Sequence, residues 1–62
     1  MSTNTIRPRK DQVWYSHGER ITVLRVSKAG VWADILVEQI HGARWTKRQP
    51  LPFPADWSEA SA

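Results

Sequence analysis

The sequence predicts a small all-β domain, and three observations carry that reading. Short runs rich in Val, Ile, Trp, Tyr and Thr begin at Val13 and recur at close spacing, turn residues around Gly18, Gly30 and Gly42 separate them, and the longest run alternates with period two. With 62 residues there is room for one domain. A chain of that size buries only about 60% of the surface its unfolded form exposes. It holds no cysteine, so neither a disulfide nor a thiolate zinc site can staple the fold, and the four tryptophans must carry much of the core.

Residues 1–10 have almost no apolar content, and Pro8 stands inside a basic cluster of Arg7, Arg9 and Lys10. This predicts a flexible basic arm, followed by the domain over residues 11–57 and a disordered tail over 58–62. The first strand falls on residues 12–16, QVWYS, and Ser16-His17-Gly18-Glu19 turns the chain, with Gly18 able to take positive φ. Ser16 and Glu19 also have the spacing of a helix capping box. The β-branched, alternating residues that follow argue against a helix start.

The second strand is placed at residues 20–27, RITVLRVS. Its apolar residues change phase between Val23 and Leu24, which predicts a bulge or a strand passing between layers. A tight turn at Lys28-Ala29-Gly30 leads into the third strand, residues 31–40. There Val31, Ala33, Ile35 and Val37 form the set expected in the core. Asp34 and Glu38 are expected to be exposed, with Trp32 and Leu36 on the outer face.

His41-Gly42-Ala43 then turns the chain into the fourth strand, residues 44–49, with Ile40 facing about Arg44. Trp45 and Lys47 fall on one face of that strand, and Arg44, Thr46 and Arg48 on the other. Pro50, Pro52 and Pro54 end the ladder, because proline has no N–H to donate. Their spacing of two is not that of a P-x-x-P recognition peptide. In an extended chain it sets Leu51 and Phe53 on the opposite side, free to pack inward, so residues 50–57 read as a latch over the core.

Strand, turn, strand, tight turn, long strand, turn, strand and a short Pro-flanked closing segment resemble an SH3-like small β-barrel over about residues 11–57. The resemblance implies a closed barrel of about five short antiparallel strands. It is one of pattern, and such barrels serve many partners, so it implies no activity.

Nine Lys and Arg against six Asp and Glu give a net charge of +3. All nine lie between Arg7 and Arg48, while Asp56 and Glu59 sit in a C-terminal stretch with no positive residue. Polyanions are the natural partners of such a chain. No apolar run approaches the roughly 20 residues of a membrane span. The charges of residues 1–10 lack the apolar run of a secretory signal, so a cytoplasmic setting is expected.

Catalysis finds few candidates. His17 and His41 each stand beside glycine in a turn, Glu19 and Glu38 are the nearest carboxylates in sequence, and so small a core leaves little room for a pocket that shifts their pKa values. Ser16 and His17 are no dyad, since neighbours on a strand point to opposite faces. Nothing has metal-ligand spacing. A non-catalytic binding module without cofactor is therefore expected.

Nucleic acid is the leading partner class, because aromatic side chains on a sheet face stack bases while interleaved Lys and Arg hold phosphates. Trp32 and Trp45 are the stacking candidates, too far apart along their strands to pair directly. Arg44, Lys47 and Arg48, with Arg7, Arg9 and Lys10 of the arm, are the phosphate candidates. The alternative is a protein–protein interaction module, or a small regulator of the kind phages direct at a host protein. Trp, Tyr and Arg are the residues enriched at such interfaces, so Trp32, Tyr15, Arg44 and Arg48 serve that reading as well.

Overall fold

The computed structural model describes residues 8–60. Five antiparallel strands form one sheet: β1 (Val13–Ser16), β2 (Glu19–Val26), β3 (Trp32–Gln39), β4 (Arg44–Pro50) and β5 (Ser58–Glu59). Their spatial order is β4-β3-β2-β1-β5, a meander whose short last strand returns beside the first. Among the described residues there is no helix. Among the described residues strands β4 and β5 are both free edges, so the sheet is not closed into a barrel.

Each hairpin follows from a residue able to take positive φ. His17 and Gly18 both lie there, at 42° and 81°, and form a two-residue turn of type I′, whose twist matches that of the flanking strands. Between β2 and β3 the Gly30 N–H donates to the Ser27 carbonyl, while Ser27 Oγ accepts from the Val31 and Trp32 N–H groups. Between β3 and β4 the Gly42 N–H donates to the Gln39 carbonyl and the Gln39 N–H to that of Ala43. The turn is thus Ile40-His41-Gly42, and Arg44 pairs with Glu38 rather than facing Ile40. Ile40 stands at the tip, 93% exposed.

Period-two patterning holds for the heart of the third strand: Ala33, Ile35 and Val37 are buried. Val31 departs from it and is 58% exposed. The reason is that the β2–β3 ladder ends with Ala33 opposite Val26, so Val31 belongs to the turn. Its N–H is held by Ser27 and its carbonyl accepts from Leu51. Asp34 and Glu38 are half-buried rather than exposed, since β3 is flanked by β2 and β4, and Arg25 and Arg48 reach over to Asp34 from either side. The phase change in the second strand is a bulge: Val23 pairs with Ile35 and Arg25 with Asp34, leaving Leu24 out of the ladder and exposed.

Trp14, Ile21, Val23, Ala33, Ile35 and Val37 form the core on one face of the sheet. Leu51, Phe53 and Trp57 pack over it from the segment after β4, with Val26 at the margin. The Phe53 ring meets Trp14 edge-on at 5.1 Å between centroids and lies 4.7 Å from Trp57. A sheet must bury its apolar face against another element, and here a proline-rich strap takes the place of a second sheet or a helix.

Residues 8–10 and 58–60, expected in an arm and a tail, take part in the fold. Ser58 and Glu59 pair with Tyr15 and Trp14, and the Ala60 N–H donates to the Val13 carbonyl. At the other end Pro8 is buried and Arg9 accepts a bond from the Gln12 N–H. Arg7 lies outside the described residues.

Candidate nucleic-acid interface

Register sorts the side chains of the sheet between its two faces, because residues directly opposite one another share a face. Pairing of Trp45 with Val37, Lys47 with Ile35 and Gln49 with Ala33 puts these three β4 residues on the strap side. Arg44, Thr46 and Arg48 pair with Glu38, Leu36 and Asp34 and project from the uncovered face. The basic and aromatic residues of β4 therefore straddle the edge strand. Five successive residues, Arg44, Trp45, Thr46, Lys47 and Arg48, are exposed, and Trp45 is 42% so.

Main-chain groups add to this edge. The Gln39–Ala43 and Val31–Leu51 bonds bracket the β3–β4 ladder, and antiparallel pairs alternate. Odd-numbered residues of β4 accordingly bond to β3. The N–H groups of Arg44, Thr46 and Arg48 point away from the sheet.

On the uncovered face, rows run across the strands. In one, Arg44, Glu38, Arg20 and Tyr15 stand side by side, and in another Arg48, Asp34 and Arg25. Each acid of β3 thus has an arginine on either flank. Asp34 bonds both of its neighbours, Arg25 Nε at 2.8 Å and Arg48 Nε at 3.0 Å. Trp32 lies under the same pair, with the Arg48 guanidinium carbon 3.7 Å and that of Arg25 5.5 Å from the ring centroid. Such stacking fixes a guanidinium while leaving its outer N–H groups free to donate. Trp32 is half-buried, with an arginine over its face; Trp45 is the more exposed of the two candidate stacking rings.

No family model, curated protein or solved structure matches this chain.

The remaining candidates, Arg9 and Lys10, are exposed on the turn before β1, at the far end of the sheet from β4. Among the described residues no three of His, Cys, Asp or Glu come together as metal ligands, and no helix is long and apolar enough to cross a membrane. Sequence reading missed Asp34 as the organiser of the arginine pair, although its shared parity with Trp32 in the third strand was a usable signal. It also passed over Arg20, which shares a row with Glu38 and Arg44 and has no motif to mark it.

The Arg48 and then the Arg25 hydrogen bonds hold the Asp34 carboxyl below its ordinary value of 3.8. A carboxyl that titrates lower in the folded than in the unfolded chain adds stability above the ordinary value and loses it as pH falls towards the folded one. Asp34→Asn is expected to flatten the fall in melting temperature as pH drops through and below the ordinary value of 3.8. Part of the dependence should survive, since Asp56 is also held low, by His17 Nε2 at 2.6 Å. A profile for Asp34→Asn that parallels the wild type would show that the arginine pair contributes nothing.

Proposed function

We propose that this protein is a non-catalytic module that binds nucleic acid along the exposed strand β4. The observation that carries the reading is the concentration of three cations, an exposed indole and outward main-chain donors on one edge strand. Arg44, Lys47 and Arg48 reach phosphates from both sides of the edge, and the outward N–H groups donate to phosphate oxygens, as main-chain groups commonly do. Trp45 offers a face to an unstacked base, which favours a single strand over a duplex. Asp34 and Trp32 hold the Arg48 side chain in place rather than contacting the ligand. Strand order and the bulge in β2 support describing the topology as SH3-like, with the sheet left open.

The open edge also favours a second reading, addition of a strand from a protein partner. Self-pairing of β4 about Thr46 would set Arg44 opposite Arg48 of a second copy, a repulsive pairing. An acidic extended peptide is the form of protein partner that suits this edge.

Trp45→Ala tests the first reading. It is expected to weaken binding of a single-stranded oligonucleotide about fivefold or more while leaving the salt dependence nearly unchanged. Binding of a duplex should change little. Equal affinity of the variant and the wild type for single strands would remove Trp45 from the interface.

A further inference from the structure

A groove of about 790 Å³ opens at the opposite end of the sheet from β4. Its floor is the outer face of β1 and β2, where Tyr15 and Arg20 stand directly opposite one another. One wall is the turn before β1, which carries Arg9 and Lys10, and the other is the β5 strand with Glu59. The volume lies within the range of roughly 300–1,000 Å³ common among small-ligand sites.

The walls are built, not loosely apposed. The Gln12 N–H donates to the Arg9 carbonyl at 3.0 Å, and Asp11 takes a φ of 70°, which makes the turn type II with Asp11 where glycine is usual. Asp11 N–H and the Val23 carbonyl, with Val23 N–H and the Gln12 carbonyl, dock the turn on β2 as a bulge. Gln12 then ties both walls to the core. Its Oε1 accepts from the Arg9 N–H at 2.9 Å and from the Trp14 indole at 3.1 Å, while its Nε2 donates to Glu59. One of the two lining carboxylates is thereby engaged. Three cations line the groove together with a phenol ring that is 49% exposed.

We propose that this groove is a subsite for a 5′-phosphorylated nucleotide, with the base stacked on Tyr15 and the phosphate held by Arg20, Lys10 and Arg9. An exposed ring beside several cations provides both things a nucleotide offers, a π-face and a dianionic group. The choice of ligand class rests on the nucleic-acid reading, but none of the residues belongs to β4. In the row that joins the two sites, Glu38 separates Arg20 from Arg44. Groove and edge strand are thus two positive ends rather than one stripe, with Arg20 and Arg44 about 10 Å apart at two strand spacings.

Titration of the ¹⁵N-labelled protein with adenosine 5′-monophosphate, adenosine and inorganic phosphate tests the assignment. The monophosphate should shift the amides of Val13, Tyr15, Arg20 and Glu59, with adenosine and phosphate each at least about fivefold weaker. Tyr15→Leu and Arg20→Gln alter exposed side chains, so the fold should persist, and each should weaken the monophosphate by a similar factor. The Arg44, Lys47 and Arg48 triple alanine variant should keep the groove shifts unchanged. A trinucleotide with a 5′-phosphate should shift the groove more than the same trinucleotide without it, which separates a strand end from a free nucleotide as the source. Shifts confined to β4 would overturn the groove while leaving the edge-strand reading in place. Equal shifts with inorganic phosphate, indifferent to Tyr15→Leu, would overturn the nucleotide as ligand.

Discussion

Truncation after Gln49 is expected to leave the chain unfolded. The deletion removes Leu51, Phe53 and Trp57, which cover the core face, and β5, which pairs with β1. Trp14 would lose its edge-on partner Phe53, and Ile21, Val23, Ile35 and Val37 would face water across the sheet. An uncovered apolar face cannot offset a backbone ordering cost of about 1–2 kcal/mol per residue. The amide proton spectrum should collapse to the narrow dispersion of an unfolded chain. A dispersed spectrum would mean that the sheet is stable alone and the proline segment is not a latch.

Ile35→Ala carries the second largest expected effect. Ile35 lies on the central run of β3, fully buried, with Val23 opposite it on β2. Truncating a large buried aliphatic side chain costs about 2–5 kcal/mol, because the cavity left behind closes only in part. A domain of this length has a total stability of about 3–9 kcal/mol at typical values per residue. The variant should therefore show a low, broad thermal transition or none at room temperature. Val31→Ala is the control, since Val31 is exposed, and its melting temperature should stay close to that of the wild type. A cooperative melt of Ile35→Ala within a few degrees of the wild type would remove Ile35 from the core.

Much of this architecture was legible because it rests on local signals. Period two in the third strand fixed which residues face inward, since a slip by one residue would expose Ala33, Ile35 and Val37 together. The change of phase in the second strand called for a bulge or a passage between layers, and the register decides for the bulge at Leu24. Proline spacing foretold that Leu51 and Phe53 could turn to one side.

What escaped depends on partners far apart in sequence. The reach of β3 was overestimated at both ends, because Val31 and Ile40 have strand-like side chains but belong to turns closed by Gly30 and Gly42. Pairing of Ser58 and Glu59 with β1 could not be read from a polar pentapeptide, whose strand state comes from the neighbour it meets. Closure into a barrel was an expectation of pattern alone, and pattern does not say whether the outer strands meet. At the candidate site the parity of Arg44, Trp45, Lys47 and Arg48 was readable. The tethering of Arg48 by Asp34 and Trp32 was not, since it needs the register between strands as well as within them.

Salt titration of oligonucleotide affinity for the wild type and for the variant with Arg44, Lys47 and Arg48 replaced by alanine tests the edge-strand reading most directly. Each phosphate contact to a single strand adds about 0.7 to the slope of log affinity against log salt, so loss of three contacts should flatten it by about 2. The account predicts a steep slope for the wild type, that flattening in the variant, and a wild-type affinity tighter than about 100 µM at physiological salt. A wild type that binds no oligonucleotide at that level, or a variant whose slope matches it, would contradict the account and leave an acidic peptide as the ligand of β4.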